Sequence, residues 1–94
     1  MSDPRGQPVE LIQLDIEEIL QFFISITYTK SVLYLGAKLA EDQVPTKDLV
    51  KARIAIDTTK MLVEKIKPLI PEEESKKLDE VVSNLQFTYL KEAS

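Results

Sequence analysis

The stretch Ile19–Ala37, ILQFFISITYTKSVLYLGA, decides how the rest of the chain is read. It carries one formal charge, Lys30, and its apolar residues do not keep to one side. At about 100° per residue, Phe22, Ile26 and Leu33 point one way. Leu20, Phe23 and Tyr34 point another, and Ile24, Tyr28 and Leu35 a third. A helix that is apolar nearly all round is either central in a core or spans a membrane. Spanning would place Lys30 near mid-bilayer, at a cost of about 2.5–3.5 kcal/mol on the insertion scale. Gln21, Ser25, Thr27, Thr29 and Ser31 add polarity, and no positive cluster flanks either end. The stretch therefore reads as the long central helix of a helical fold, with no membrane span.

Upstream, Pro4, Gly6 and Pro8 break the chain, and residues 1–14 read as a flexible tail. Val9, Ile12, Ile16 and Ile19 stand at helical spacing, so a helix could begin at Pro8; alternatively Asp15 caps it, with Glu18 in capping-box position. The favoured reading starts the main helix at Asp15. It runs to about residue 40, with Gly36 inside its last turns at a cost of up to roughly 1 kcal/mol relative to alanine. Glu41–Pro45 is a polar connection.

Downstream, Thr46 is the natural cap of a second helix, with Asp48 in its first turn. Leu49, Ala52, Ala55, Ile56, Leu62, Val63 and Ile66 form its apolar arc, and Pro68 stops it. A spare stripe of Val50, Ile54 and Met61 lies on the opposite side. Pro71 opens a third helix at its first helical position, followed by Glu72, Glu73 and Glu74, where the helix dipole favours anions. Leu78, Val81, Val82, Leu85 and Tyr89 make one face, Phe87 and Leu90 point elsewhere, and the closing KEAS reads as frayed. The expected architecture is all-α: three antiparallel helices near residues 15–40, 46–67 and 71–91, one helical domain over 15–94.

The composition, 44% hydrophobic and 30% charged, is too apolar for a disordered chain. Two glycines leave little turn chemistry for a multi-stranded sheet. The net charge of −4 argues against a nucleic-acid binder. Residues 46–67 hold six basic and three acidic side chains, net +3, whereas 71–94 hold three basic and six acidic, net −3. Opposite fields favour pairing of these two helices. Cysteine is absent, which excludes disulfide and thiolate chemistry and makes a reducing compartment, the cytoplasm, the simplest expectation. The opening MSDPRGQP is polar and lacks the apolar core of a secretory signal.

Catalytic chemistry finds little support. Histidine is absent, removing the commonest general base and the Glu-x-x-His pattern of di-iron bundles. A zinc site would need carboxylates alone, there is no Gly-rich phosphate loop, and no cofactor is implied. Glu72–Glu74 spread over most of a helical turn and do not converge on a cation. Lys30 could be a base or anion ligand, with Asp57 as a second ligand group. The plainer readings are a Lys30 that reaches solvent along its stem or pairs with an acid such as Asp57, and an Asp57 paired with Arg53 or Lys60 on its own helix. Lys47, Lys51 and Lys65 read as a solvated face, and Tyr28 and Tyr34 as core or interface residues.

Several short runs carry a resemblance. Tyr34-Leu35-Gly36 ends the first helix, DLVKARIAID fills Asp48–Asp57, Met61-Leu62 and Lys65 follow, then PEEE at Pro71–Glu74, then Leu78, Leu85 and Tyr89. Over roughly Phe22 to Lys91 this resembles a bacterial family of small helical proteins, domain of unknown function 1844. The run Ala52-Arg53-Ile54-Ala55-Ile56-Asp57 is its most specific part. The chain departs from the family pattern before Pro71, where Lys67-Pro68-Leu69-Ile70 replaces a Gly-Asn-Leu-Thr-like lead-in. The resemblance implies an all-helical fold and no known activity.

Two functional readings remain. One is a non-enzymatic homo-oligomeric module, a dimer that also binds an unidentified protein, with Phe22, Ile26, Leu33, Val50, Ile54, Met61, Phe87 and Leu90 at interfaces. Two shorter amphipathic helices cannot cover the whole circumference of the first, so dimerisation would complete the fold. The other is a small-ligand or anion-binding protein using a pocket near Lys30 and Asp57.

Overall fold

The computed structural model describes residues 12–94 of the chain; the tail expected over 1–14 lies outside them as far as residue 11. Within them the chain is helical throughout its regular structure, with no strand. Helix α1 runs Ile16–Tyr34, α2 Leu49–Ile66 and α3 Glu72–Ala93, with a single 3-10 turn Lys67–Leu69 between the last two.

Residues 13–15 interrupt the helical pattern, so the preceding turn is not continuous with α1. Asp15 occupies the cap position in an extended conformation, but its side chain makes no capping hydrogen bond and the capping box with Glu18 is not formed. Its carbonyl accepts from the Ile19 N–H at 3.0 Å. Glu17 and Glu18 lie in the first turn, where the macrodipole favours them.

Helix α1 stops at Tyr34, not near residue 40. Gly36 has φ +109°, a conformation that L side chains rarely adopt. Its N–H donates to the Leu33 carbonyl and the Ala37 N–H to the Val32 carbonyl, both at 3.0 Å. These two bonds are a Schellman closure, so Gly36 terminates the helix and does not sit within it.

Helix α2 is capped by Asp48 and not by Thr46. The Asp48 carboxylate accepts from the Lys51 N–H at 3.0 Å, while the Asp48 N–H donates to the Tyr34 carbonyl at 2.8 Å. The second bond ties the start of α2 to the end of α1, which fixes where the turn can begin. Pro68 lies in the 3-10 turn after Ile66, ending α2 as expected. Pro71 takes the cap position of α3, one residue before the expected first helical position, and its carbonyl accepts from the Ser75 N–H at 3.0 Å. The expected fraying over the last residues does not appear, since α3 runs through Ala93.

The helix packed on two sides is α2, and the expectation of a central first helix is corrected. Helix α2 buries Ala52, Ala55, Ile56, Thr59, Val63 and Ile66, whereas α1 buries only Ile24 and Ser31. One core cluster joins Ile24, Val63, Ile66 and Val82; a second joins Leu35, Ala52, Ile56 and Leu85. Fully burying side chains of the size of Val63 and Ile66 contributes roughly 1.5–3 kcal/mol each. The small Ala52 and Ala55 let α1 come close, and α1 lays its small, polar Ser31 and Thr27 on that side. Its larger side chains are thereby turned outward. Helices α1 and α3 meet less closely with each other than either does with α2.

Two ion pairs link the ends of α2 to α3. Lys47 Nζ lies 2.7 Å from Glu92 Oε1, and Lys67 Nζ 3.0 Å from Asp79 Oδ2. They realise the opposite fields anticipated for these helices.

Candidate functional site

The most deeply buried polar groups lie where α1 crosses α2. Thr59 and Ser31 are wholly buried. Thr59 Oγ1 is 2.8 Å from both the Ala55 carbonyl and Thr27 Oγ1, and Thr27 Oγ1 is 3.2 Å from the Ile24 carbonyl. Two hydroxyl protons thus serve three contacts, each hydroxyl being donor to one and acceptor at need. Ser31 Oγ donates to the Thr27 carbonyl at 2.7 Å. Among the described residues no buried side-chain polar atom lacks a partner, so this cluster holds helices together and aims nothing at a ligand. Nothing in the sequence singles out Thr59, although it falls midway along the apolar arc Ala52, Ile56, Val63 and Ile66.

Lys30 is exposed, as its plainer reading had it, and its Nζ stands 5.1 Å from the centre of the Tyr34 ring. Lys51 of α2 reaches the same ring at 5.9 Å. Two ammonium groups thus share one aromatic ring, a placement that sequence spacing does not reveal because it joins two helices. Lys30, Tyr34, Lys51 and Ile54 line one shallow groove between α1 and α2. Asp57 lines another, between α2 and α3, with Arg53, Gln86, Tyr89 and Leu90. The structure does not bring Lys30 and Asp57 together. Ion pairs among the described residues join Lys47 to Glu92, Lys67 to Asp79 and Lys76 to Glu72, and the pairing of Asp57 with Arg53 or Lys60 is not among them. A third groove, of about 400 Å³, runs between α1 and α3 over Ile24, Leu78 and Val81. Among the described residues no group of three or more acidic side chains converges to hold a metal ion, and no helix is long and apolar enough to cross a membrane.

A family model described as a domain of unknown function, DUF1844, matches residues 18–91. The chain belongs to that family. The DUF1844 match takes in nearly all of α1 and α3 and the whole of α2, so the grooves above lie within it, while the Asp15 cap precedes it. Neither a curated protein nor a solved structure matches the chain.

What the DUF1844 fold leaves uncovered is apolar. Phe22 and Ile26 of α1 are 45% and 44% exposed, and Leu33 is partly exposed. Val50, Ile54 and Met61 of α2 are more than half exposed, as are Phe87 and Leu90 of α3. Ile54 borders the α1 groove, whereas Leu90 lies across α2 beside Asp57, so the eight residues do not make one patch. Ile19 and Thr29 complete the set on α1: Ile19, Phe22, Ile26, Thr29 and Leu33 recur at alternating three- and four-residue steps, on the side away from Ile24 and Ser31. At about 100° per residue they occupy an arc of about 80°. That spacing is the seam of a helix that packs against another helix. Phe23 flanks it, its ring centre 6.0 Å from that of Phe22.

Proposed function

We propose that this DUF1844 chain is a non-enzymatic helical interaction module that works as a homodimer. The first helices pack against each other, flanked by the spare stripe of Val50, Ile54 and Met61 on α2. The observation that carries the reading is the outward seam of α1. A stripe of large apolar side chains at helix-pairing spacing, left uncovered by its own chain, is more than soluble monomers usually expose. A two-fold contact buries the same patch on both copies at once. A sequence without histidine or cysteine supports a binding role over a catalytic one, and the lack of cysteine is in keeping with the cytoplasm. Phe87 and Leu90 of α3, both more than half exposed, are the surface we assign to a further protein partner.

Light scattering on a sizing column tests the dimer: the mass should be at least twice the 10.7 kDa of the chain. The double change Ile54→Glu and Met61→Glu should weaken association more than Lys51→Glu does. A monodisperse monomer at micromolar concentration would defeat the proposal.

A further inference from the structure

We infer that the two α1 helices run antiparallel, so that Asp15 of each copy reaches the Lys30–Tyr34–Lys51 cluster of the other. The inference rests on the self-association proposed above and adds its orientation and the residues that set it. Helix α1 is electrically lopsided: Asp15, Glu17 and Glu18 stand at its start and Lys30 towards its end. The fold deepens this asymmetry by bringing Lys51 from α2 to the Tyr34 ring beside Lys30. Parallel seams would set acidic turn against acidic turn and lysines against lysines. Antiparallel seams set each acidic turn against the lysines of the other copy and oppose the helix dipoles as well.

Three further observations fit this order. The Asp15 carboxylate is exposed and makes no capping bond to the N–H groups of its own helix. The Thr29 hydroxyl is already bonded to the Ser25 carbonyl at 2.9 Å, so the polar member of the seam needs no partner across it. The register also closes. Ile26 set across from the partner's Phe22 places Thr29 across from the partner's Ile19, and Leu33 across from the partner's Asp15. Asp15 then meets a residue one turn from Lys30, at the end of a seam about 21 Å long at 1.5 Å per residue.

A chain without native cysteine allows a direct test. Ile19→Cys and Thr29→Cys proteins, refolded together and mildly oxidised, should give the mixed disulfide in the mass spectrum. Ile19→Cys or Leu33→Cys alone should give little self-linked product. Lys30→Glu should weaken the dimer roughly tenfold at low salt, since each dimer holds the contact twice, and adding Asp15→Lys should restore it. Self-linked Leu33→Cys in a retained dimer would mean parallel seams and overturn the inference alone. A dimer unchanged by Phe22→Glu, with helical content intact, would place the contact elsewhere and overturn the inference together with the α1–α1 contact of the proposed function, leaving only self-association standing. A monomeric wild-type chain would overturn the inference and the proposed function together.

Discussion

Gly36 and Asp48 stand at the two ends of the α1–α2 connection, and each holds its helix boundary for a different physical reason. Around Gly36 there is room for a methyl group, since a Cβ there would lie 3.8 Å or more from Lys47. The constraint is the positive φ alone. Gly36→Ala should therefore lower stability by about 1–2 kcal/mol, measured by urea unfolding, with no loss of helical content. Asp48 acts through its carboxylate on the Lys51 N–H. Asp48→Ala should cost about 1 kcal/mol, whereas Thr46→Ala should cost little, because Thr46 caps nothing. Gly36 read from spacing as a weak point inside the first helix, and Asp48 as a first-turn residue behind Thr46. Only the family resemblance set the end of the first helix at Tyr34-Leu35-Gly36. The offset of the second boundary was not legible, because the competition between Thr46 and Asp48 is decided by a hydrogen bond to Tyr34, which lies on another element.

At the scale of elements, the three helices and the proline stops were readable from periodicity, and the ranking of the helices was not. Side-chain chemistry alone points to α1 as the core, since it carries fewer charges than α2 over a similar length and the bulkier apolar residues. Close approach decides otherwise. Ala52, Ala55 and Thr59 make a low ridge on α2, and a neighbouring helix can settle there only with small side chains facing it. The low face of α1 is Thr27 and Ser31, residues that read as interruptions of an apolar run. Their hydroxyls find partners within the crossing, which offsets the cost of burying them. Thr59→Val keeps the shape and removes the contacts of the hydroxyl with Thr27 and the Ala55 carbonyl, while leaving Thr27 its Ile24 carbonyl. It should cost about 1 kcal/mol in thermal melts. Of the candidate site, Phe22, Ile26 and Leu33 were visible as one stripe, because they share a helix. The Lys30–Tyr34–Lys51 cluster was not, because it needs the crossing of α1 and α2.

Across the whole molecule, the two ion pairs between the ends of α2 and α3 tie stability to pH in opposite directions. The hydrogen bond from Lys47, and then its charge, hold the Glu92 carboxyl below its ordinary range. A depressed carboxyl contributes stability that is present above the unfolded pKa and is lost as pH falls through the folded value. The bond to Asp79 raises the Lys67 ammonium above its ordinary range. That contribution is present below the unfolded lysine pKa and is lost as pH rises through the folded one. Both pairs are solvent-exposed and screened, so the effects are small. Melting temperature should dip below about pH 4 and again above about pH 10.5. Glu92→Gln should flatten the acid limb and leave the alkaline limb unchanged.

The loose meeting of α1 with α3 has a consequence for how the molecule opens. Helix α3 is held mainly through α2, by Val82 and Leu85 and by one ion pair near each end. It can leave as a unit while α1 and α2 stay joined at the Thr59 crossing. Amide protons of α3 should then exchange with solvent through a partial unfolding below the global free energy, and those around Val63 only through the global one. Native-state hydrogen exchange in low urea would separate the two classes; a single common isotherm for all three helices would show that the bundle opens as one.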